Sequence, residues 1–416
     1  MEKEKKILIT AFLPFGGDNI NPTELILNEL NDEIKGVKIE KFLLPVEFLK
    51  SIEEIKNYYD MIKPDALIML GLAGGRREIS VEIVARNIRN ARIPDNSGYQ
   101  PVNEEIIKDS DYYLYNTLPN EMITEILEKE NIPVKISNDA GMYVCNNIFY
   151  AMLEYNKGNI PTGFIHVPYI KENGHLDKPY MTLLDEVKAI NLIIDAVIPN
   201  LDKYYLFNSY FIIGNAYAGK STMIKMLADE YKGIWCEENY HDRLLETLDK
   251  EKYPNLCYTR DLVDFHDFIR RSPLEYERWV NDVSKECEDL ELKILKEVPK
   301  NKLCFVDTNI GIDTLKKITP LSHVLVMLAD PSISVDLFFN RPDKEKQYLY
   351  KLIMEEKDPD LALLNFRKCL ERINSKERYN EFMNSGFNVL LRDDNRKVEE
   401  TLEIVKDYFK LKEITN

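Results

Sequence analysis

The segment YFIIGNAYAGKSTMIKMLADEY, residues 210–231, constrains the fold of this chain more than any other. Its apolar start predicts a strand, a glycine-rich turn follows, and an amphipathic run then predicts a helix. Gly214 to Ser221 match the spacing GxxxxGK[ST], in which main-chain N–H groups curl around a phosphate. Such a unit is typical of a parallel sheet wrapped by helices. We therefore expect an α/β domain over residues 205–416.

The earlier part of the chain also alternates between strand and helix patterns. Between residues 6 and 199, the runs KILIT, DALIML, ISVEIVARN and TGFIHV alternate with helical patterns such as PTELILNELNDEI and MYVCNNIFYAMLEY. This predicts an α/β sandwich. Because 416 residues are too many for one compact core, we divide the chain into domains 1–204 and 205–416, with the boundary between residues 201 and 208.

Charge and cysteine usage exclude several classes of function. A formal net charge of −16 repels nucleic acid and anionic membrane surfaces, and no basic stripe breaks that balance. No stretch approaches the roughly 18 apolar residues of a membrane span. The six cysteines show no CxxC spacing and no secretion signal accompanies them, so we expect reduced thiols in a cytoplasmic protein. Whether the chain forms a homo-oligomer stays open.

Three separated residues of the first domain have the chemistry of thiol-dependent amide hydrolysis. That reaction needs a thiolate, a base and a group that fixes the imidazole, which Cys145, His166 and Glu82 supply. Cys145 lies near the start of a predicted helix, where the helix dipole and an imidazolium lower a thiol pKa, so we expect a thiolate at neutral pH. Taken singly, Cys145 could be inert core, His166 structural and Glu82 solvated surface.

Residues 5–200 resemble the pyroglutamyl-peptidase I family of cysteine peptidases in five segments, namely TAFLPFGGDNINPT, GLAGGRREISVEIVARN, ARIPDNSGYQP, DAGMYVCNNIFY and GFIHVPY. The resemblance implies the α/β fold of that family and a triad of Cys145, His166 and Glu82. It also implies pyroglutamyl peptides as substrates and no cofactor. Ala11 departs from the family pattern, which has glycine before the phenylalanine.

The resemblance further assigns substrate-binding roles to Phe12, Phe15 and Arg92. Pyroglutamate is a small flat lactam without an ammonium group, so its pocket should be apolar and should reject charged N-termini by desolvation. Phe12 and Phe15 match the walls of that pocket, and core packing is the alternative for each. Arg92 matches an arginine near the active site that helps to hold the oxyanion, and a salt bridge to Asp95 is its alternative.

In the second domain, the predicted nucleotide-binding residues are Gly214, Gly219, Lys220, Ser221 and Thr222. Lys220 reaches the terminal phosphates and the Ser221 hydroxyl binds Mg²⁺. The predicted strand KLCFVD ends in Asp307, which delivers a second oxygen ligand to the metal. We therefore expect this domain to use ATP and Mg²⁺.

Two absences favour a kinase over other nucleotide-hydrolysing proteins. Asp307 is followed by Thr308 and Asn309 rather than by a catalytic glutamate, and no guanine-reading NKxD is present. The domain resembles small P-loop kinases of the nucleotide- and shikimate-kinase type. This implies a P-loop NTPase fold with a parallel sheet, and phosphoryl transfer to a small-molecule acceptor.

The acceptor site is predicted after the second strand, in WCEENYHDR. Glu238 or Asp242 could orient or deprotonate an acceptor hydroxyl, with helix capping as the alternative. Arg341 could clamp the transferred phosphate from a lid, and Arg367 and Arg372 are weaker candidates because most helix arginines are solvated.

Three other interpretations compete with a bifunctional peptidase and kinase. The second domain could be a nucleotide-binding regulatory module of the peptidase, or a nucleoside kinase, although it lacks the Glu-Arg-Ser motif of that class. The first domain could be an inactive binding domain, which the filled triad positions disfavour. The phosphoryl acceptor is not identified by the sequence.

Overall fold

The computed structural model describes residues 4–201, 206–340 and 344–411. It divides into two compact units. Unit 1 comprises the chain up to Asn208 together with Pro299–Lys302, and unit 2 comprises Ser209–Val298 and Leu303–Leu411. The predicted boundary between residues 204 and 205 lies outside the described residues. Within the described ranges, no helix is both long and apolar enough to cross a membrane.

Unit 1 is a layered α/β structure. Its strands are β1 (Lys6–Phe12), β2 (Glu33–Ile34), β3 (Val37–Leu44), β4 (Ala66–Leu72), β5 (Ile79–Glu82), β6 (Val84–Arg86), β7 (Tyr113–Tyr115), β8 (Val134–Ser137), β9 (Thr162–Val167), β10 (Tyr169–Ile170) and β11 (Tyr180–Met181). Its helices are α1 (Pro22–Glu29), α2 (Phe48–Ile62), α3 (Asn120–Lys129), α4 (Val144–Asn156) and α5 (Leu183–Val197).

The main sheet of unit 1 has the order β2-β3-β1-β4-β9-β5-β8. Strands β3, β1, β4 and β9 are parallel, whereas β5 runs antiparallel to β9. Helices α1, α3 and α5 pack on one face, and α2 and α4 pack on the other. The prediction of an α/β fold is therefore confirmed, and the antiparallel direction of β5 was not predicted.

One predicted helix is shorter than its pattern suggested. The run PTELILNELNDEI was predicted as one helix, but α1 ends at Glu29 and β2 follows. Strand β2 pairs antiparallel with β3 across a turn in which Lys35 and Gly36 both have positive φ. A hairpin turn of this kind outweighs the helical periodicity at the end of the run.

The segment Pro299–Lys302 is bonded into unit 1 although its sequence neighbours belong to unit 2. The main-chain oxygen of Asn301 accepts from Tyr115 N at 2.8 Å, and Asn301 Nδ2 donates to Leu153 O at 2.8 Å. Lys300 N also donates to Lys157 O at 3.2 Å. Four residues that are distant in sequence therefore complete the hydrogen bonding of unit 1.

Unit 2 contains a second sheet. Its strands are β12 (Ser209–Gly214), β13 (Ile234–Cys236), β14 (Cys304–Asp307), β15 (Val324–Leu328) and β16 (Asn388–Leu391). Its helices are α6 (Lys220–Tyr231), α7 (Pro254–Asp261), α8 (His266–Ile269), α9 (Pro273–Glu297), α10 (Ile312–Ile318), α11 (Pro331–Asp336), α12 (Lys344–Glu355), α13 (Pro359–Ile373), α14 (Lys376–Met383) and α15 (Val398–Tyr408).

The sheet of unit 2 has the order β13-β14-β12-β15-β16, and every pairing is parallel. The predicted parallel sheet is therefore confirmed. Strand β12 lies between β14 and β15, so the loops that follow these strands meet at one edge of the sheet. Ligand sites of open parallel sheets form at this carboxyl edge.

Candidate functional site

A glutamate and a histidine form a buried pair on adjacent strands of unit 1. The antiparallel register of β5 and β9 sets Ser80 opposite His166 and Glu82 opposite Phe164. Glu82 and His166 are therefore diagonal neighbours on one face of the sheet. Glu82 Oε1 lies 2.7 Å from His166 Nδ1, and the two residues are 0% and 4% exposed.

A glycine on the next strand makes room for the histidine ring. Gly71 pairs with His166 in the parallel register of β4 and β9. A Cβ at Gly71 would lie 2.6 Å from Phe164 Cε1 and 3.0 Å from His166 Cδ2. A larger residue at position 71 would displace the rings of Phe164 and His166 from the sheet face.

Two neighbouring side chains oppose the effect of burial on Glu82. Burial alone would raise the pKa of Glu82, but the hydrogen bond with His166 and electrostatic interactions with His166 and Arg76 hold that pKa below its ordinary value. Arg76 Nη1 lies 2.5 Å from the same Oε1 atom, and its Nη2 donates to Asp139 O at 2.7 Å. Our sequence reasoning missed Arg76, which lies in the quoted segment GLAGGRRE and was visible there only as a charge.

The thiol of Cys145 lies in the first turn of α4. That helix begins after Tyr143 without a side-chain cap, and its first main-chain hydrogen bond runs from Asn147 N to Tyr143 O. Asn146 bonds through its side chain to Arg86 N and Arg86 O at 2.9 Å each, and Asn147 Nδ2 donates to Phe48 O at 2.6 Å. The two asparagines after Cys145 therefore fix the start of the helix.

The predicted thiolate does not agree with the surroundings of Cys145. Burial and, to a smaller extent, the charge of the Glu82 carboxylate raise the pKa of Cys145 to about 12, and Arg76 opposes both. Loss of hydration outweighs the helix dipole here, because a dipole of this kind contributes only about 0.3–1 kcal/mol. These surroundings favour the neutral thiol over the thiolate.

The two predicted phenylalanine walls differ in burial. Phe12 is 3% exposed and belongs to the hydrophobic core under α2 and α4, which was its alternative. Phe15 is half-buried, and its ring centroid lies 6.1 Å from that of Tyr143. Tyr143, two residues before Cys145, also packs edge-on against Phe48 at 5.2 Å and was not among the predicted residues. Phe15, Tyr143 and Cys145 are all partly buried and pack against the same hydrophobic cluster.

The salt-bridge interpretation of Arg92 does not agree with the structure, and its role at the oxyanion stays a prediction. Arg92 is exposed and makes no ion pair within the described ranges. The predicted partner Asp95 instead accepts from the main-chain nitrogens of Phe48, Ser97 and Tyr99, at 2.9 Å each. Asp95 is thus bonded within a local turn and to the start of α2.

In unit 2, the glycine-rich loop joins β12 to α6. Gly214 has a φ of +131°, and a Cβ there would lie 1.9 Å from Met327 O on β15, so only glycine fits. Gly219 has a φ of +92° and precedes α6, whose first turn has no side-chain cap. The first N–H groups of α6 therefore lack intrahelical acceptors, as an anion site at a helix N-terminus requires.

A serine hydroxyl and a carboxylate converge beside this loop. Ser221 Oγ donates to Asp307 Oδ2 at 2.6 Å, and Lys220 Nζ donates to Asn215 O at 3.2 Å. Burial raises the pKa of Asp307, and the Lys220 charge and the Ser221 hydrogen bond oppose that effect. Oxygen donors of this kind suit Mg²⁺, which takes one or two protein ligands together with phosphates and water.

A cavity of about 300 Å³ adjoins the loop. Its lining includes Tyr217, Thr222, Met327, Arg392 and Thr401. Arg392 donates through Nη1 to Tyr217 O at 2.6 Å and through Nε to Asp394 Oδ1 at 2.7 Å, so it ties the segment after β16 to the loop. Thr222, one of the predicted residues, is exposed at this cavity.

The predicted acceptor residues are not the buried ones. Glu238 and Asp242 are both exposed. The buried polar group nearby is Glu291 of α9, which accepts from His241 Nδ1, Asn309 N and Asn309 Nδ2 at 2.9 Å each and from the Thr308 hydroxyl at 2.5 Å. Sequence reasoning missed Glu291, because one glutamate in a highly charged helix gives no signal of burial.

The predicted arginines do not reach this site within the described residues. Arg341 lies outside them. Arg367 pairs with Asp336 and Glu371, at 2.5 and 3.1 Å, and Arg372 pairs with Glu277 at 2.6 Å. Both belong to surface ion pairs, in agreement with the solvated alternative.

Comparisons with known proteins bear on unit 1. The family model described as pyroglutamyl peptidase matches residues 5–200. Pyrrolidone-carboxylate peptidase 1 of Caldanaerobacter subterraneus subsp. tengcongensis is 46% identical over 199 residues, which cover 46% of this chain and 98% of that protein. The pyrrolidone-carboxylate peptidase of Brachyspira hyodysenteriae is 46% identical over 201 residues, which cover 47% of this chain and 100% of that protein. The solved structure of the pyrrolidone carboxyl peptidase from Thermococcus litoralis is 41% identical in sequence, with a TM-score of 0.46. The match covers 48% of this chain and 95% of that chain.

Proposed function

Because this chain belongs to the pyroglutamyl peptidase family, we propose that it removes N-terminal pyroglutamate from peptides with Cys145, His166 and Glu82 as its catalytic triad. The hydrogen bond of 2.7 Å between Glu82 Oε1 and His166 Nδ1 carries this proposal. It fixes the imidazole tautomer with Nδ1 protonated and leaves Nε2 as the basic atom.

The reaction starts from a neutral thiol rather than from a preformed ion pair. His166 Nε2 takes the thiol proton as Cys145 Sγ attacks the pyroglutamyl carbonyl carbon. The imidazolium, stabilised by Glu82, then gives that proton to the leaving amine, and a thioester remains on Cys145. Water activated by the same imidazole hydrolyses the thioester and restores the thiol.

The start of α4 supplies donors for the oxyanion. The N–H groups of Val144, Cys145 and Asn146 precede the first hydrogen bond of the helix, so they have no intrahelical acceptor. Donors of this kind, aimed at the developing negative charge, are each worth about 3 kcal/mol. We assign this role to the amides in place of Arg92, whose side chain is exposed.

The substrate pocket rests on the aromatic pair Phe15 and Tyr143. Their accessible ring surface suits a flat, uncharged lactam, whereas a charged N-terminal ammonium would lose hydration there without a partner. The first test is release of a chromophore from a pyroglutamyl amide by the full chain. An enzyme that cleaves neither this amide nor a pyroglutamyl peptide would refute the proposal.

For unit 2, we propose binding of ATP with Mg²⁺ and phosphoryl transfer to a small molecule by a P-loop kinase domain. The contact of 2.6 Å between Ser221 and Asp307, beside the bare N-terminus of α6, carries this proposal. The phosphates would lie against the α6 amides with Lys220 at their terminal oxygens. The cavity next to Tyr217 and Arg392 would take the nucleoside.

Mg²⁺ would be held by Ser221 Oγ and Asp307 and would neutralise phosphate charge. Among the described residues no cluster of three or more His, Cys, Asp or Glu side chains could hold a metal by itself. This agrees with an ion that shares its coordination with phosphate and water.

A nucleotide-binding regulatory module is the second candidate function for unit 2. Glu238 and Asp242, the two proposed bases for an acceptor hydroxyl, are both exposed, and no buried base is assigned to that role. ATP consumption by the full chain, measured with and without a panel of metabolites, separates the two. Consumption that depends on one metabolite supports the kinase. A tenfold change in peptidase rate with ATP, without metabolite-dependent consumption, supports the regulatory module instead.

A further inference from the structure

We propose that Arg76 is a positioning residue for the peptidase reaction and that it holds the acid of the triad and the loop before the nucleophile in one fixed relation. The inference rests on the proposed triad. One guanidinium bonds Glu82 at 2.5 Å and Asp139 O at 2.7 Å, through different nitrogens. Asp139 lies six residues before Cys145 in the segment that leads into α4.

The bonding atoms explain why an arginine is required. Glu82 Oε1 accepts from both His166 Nδ1 and Arg76 Nη1, so Arg76 and His166 meet at one oxygen. The rigid guanidinium fork bonds two acceptors through separate nitrogens held in one plane, whereas the donors of a lysine ammonium all lie on a single nitrogen. The turn that Arg76 reaches is itself closed by Gly141 N, which donates to Asp139 Oδ1 at 3.0 Å. Arg76 therefore links β5 to the loop that delivers the thiol.

The charge of Arg76 also acts on the thiol. The ionisable groups that interact electrostatically with Cys145 are Glu82, Tyr143 and Arg76, and of these Glu82 disfavours the thiolate while Arg76 favours it. Removing the guanidinium leaves the Glu82 carboxylate less compensated. A negative charge on sulfur, in the thiolate or during attack, then becomes harder to form.

The neighbouring arginine provides a matched control. Arg77 is exposed and, among the described residues, has no hydrogen bond or ion pair. Arg76→Gln and Arg77→Gln therefore remove the same charge one residue apart, and only the first breaks the link. Arg76→Lys keeps the charge but gives up one of the two bonds.

The experiment uses the full chain with these three substitutions. Two quantities are measured, namely kcat and KM on a pyroglutamyl amide and the rate of Cys145 alkylation by iodoacetamide at pH 8, with the alkylated peptide identified by mass spectrometry. For Arg76→Gln we expect kcat to fall about 100-fold, since misplaced groups lose rate steeply, with KM within about threefold. Alkylation should slow about tenfold, the effect of one pKa unit. Arg76→Lys should recover most of the alkylation rate and only part of kcat, and Arg77→Gln should match the wild type.

Several results would overturn the inference. A kcat of Arg76→Gln within threefold of the wild-type kcat would overturn it. An equal fall of kcat in Arg77→Gln and Arg76→Gln would overturn it as well. If Arg76→Gln does not fold, as judged by circular dichroism, a wild-type kcat in Arg76→Lys overturns the need for two bonds. If the wild-type protein releases no pyroglutamate, the proposed function is refuted. The alkylation rate still tests the inference in that case, because an unchanged rate in Arg76→Gln would refute the effect of the Arg76 charge on Cys145.

Discussion

The two units bury glutamate side chains in opposite ways. In unit 2, the carboxylate of Glu291 accepts four hydrogen bonds from three residues and organises the segment after Asp307. In unit 1, both carboxyl oxygens of Glu186 on α5 are buried, and neither has a hydrogen-bond partner among the described residues. Burial and, to a smaller extent, the charge of Asp185 raise the pKa of Glu186 to about 9. Burial of a carboxyl group therefore does not by itself indicate a functional site. The hydrogen-bond partners of the carboxyl group must be known as well.

The candidate sites differ in a similar way. The candidate site of unit 1 is assembled from β5, β9 and α4, which are far apart in sequence, whereas the glycine-rich loop of unit 2 is one continuous segment. A contiguous motif can be recognised from local chemistry alone. A dispersed site needs the fold, or a family resemblance, to bring its residues together.

The largest effect is expected at the nucleophile. Cys145→Ser should lower kcat/KM on a pyroglutamyl amide by about 10⁴-fold or more, because serine is a far weaker nucleophile at this position. ATP binding by the same variant should not change. The measurement is chromophore release together with equilibrium binding of a fluorescent ATP analogue. Peptidase activity within tenfold of wild type would remove Cys145 from the mechanism.

The second effect is expected at the glycine-rich loop of unit 2. Lys220→Ala should weaken binding of ATP with Mg²⁺ by about 10²–10³-fold, since a charge-assisted bond to the terminal phosphates is lost. Peptidase kcat/KM should stay within twofold. Lys225→Ala, an exposed lysine on the same helix α6, is the control and should bind ATP normally. A loss of peptidase activity in Lys220→Ala would contradict the independence of the two sites.

The third effect concerns Glu186 and depends on pH. The folded protein keeps the Glu186 proton up to about pH 9, whereas the unfolded chain releases it above its ordinary value of 4.5. Stability of unit 1 should therefore fall as pH rises between these values, by up to about 1.4 kcal/mol per pH unit. Glu186→Gln should remove this slope and stabilise unit 1 at pH 7.

Hydrogen exchange of the α5 peptide at several pH values is the measurement for Glu186→Gln. The control is Glu125→Gln on α3, which makes the same substitution at an exposed position. An unchanged pH slope in Glu186→Gln would show that the carboxyl has another source of stabilisation.

The smallest effect is expected at the partnered carboxylate. Glu291→Gln should destabilise unit 2 by about 2 kcal/mol, because the amide cannot accept all four hydrogen bonds. Both tryptophans, Trp235 and Trp279, belong to unit 2, so their fluorescence during urea unfolding reports on this unit. Glu297→Gln, at an exposed position of the same helix, should have no effect. Equal midpoints in the two variants would mean that the Glu291 network adds nothing to stability.

The sequence predicted the location of several strands better than the direction of the strands and the boundaries of the helices. Apolar runs rich in β-branched residues located β1, β4, β9 and β12, because such runs bury both faces of a central strand. Strand direction is not encoded in that pattern, so the antiparallel β5 could not be foreseen. The boundaries that separate α7, α8 and α9 also depend on packing.

At the candidate sites, residue types were predictable and environments were not. Cys145, His166, Glu82 and the glycine-rich loop were located by motif. The burial that raises the pKa of Cys145 was not, since hydration loss depends on neighbours that only the fold supplies. Glu291 and Arg76 escaped prediction for the same reason, because a charged residue in a charged segment looks solvated until its partners are known.

The four residues Pro299–Lys302 have a consequence for anyone who divides this gene. A stop codon after residue 208 would delete Asn301, and with it the acceptor for Tyr115 N and the donor to Leu153 O. Each unmet buried group costs about 1–3 kcal/mol, which is a large part of the stability of a small domain. Recombination that replaces only the second half of the reading frame also removes these hydrogen bonds, unless the replacement sequence contains an equivalent segment. The coding region of unit 1 is therefore not continuous, and a single crossover cannot separate the complete coding regions of the two units.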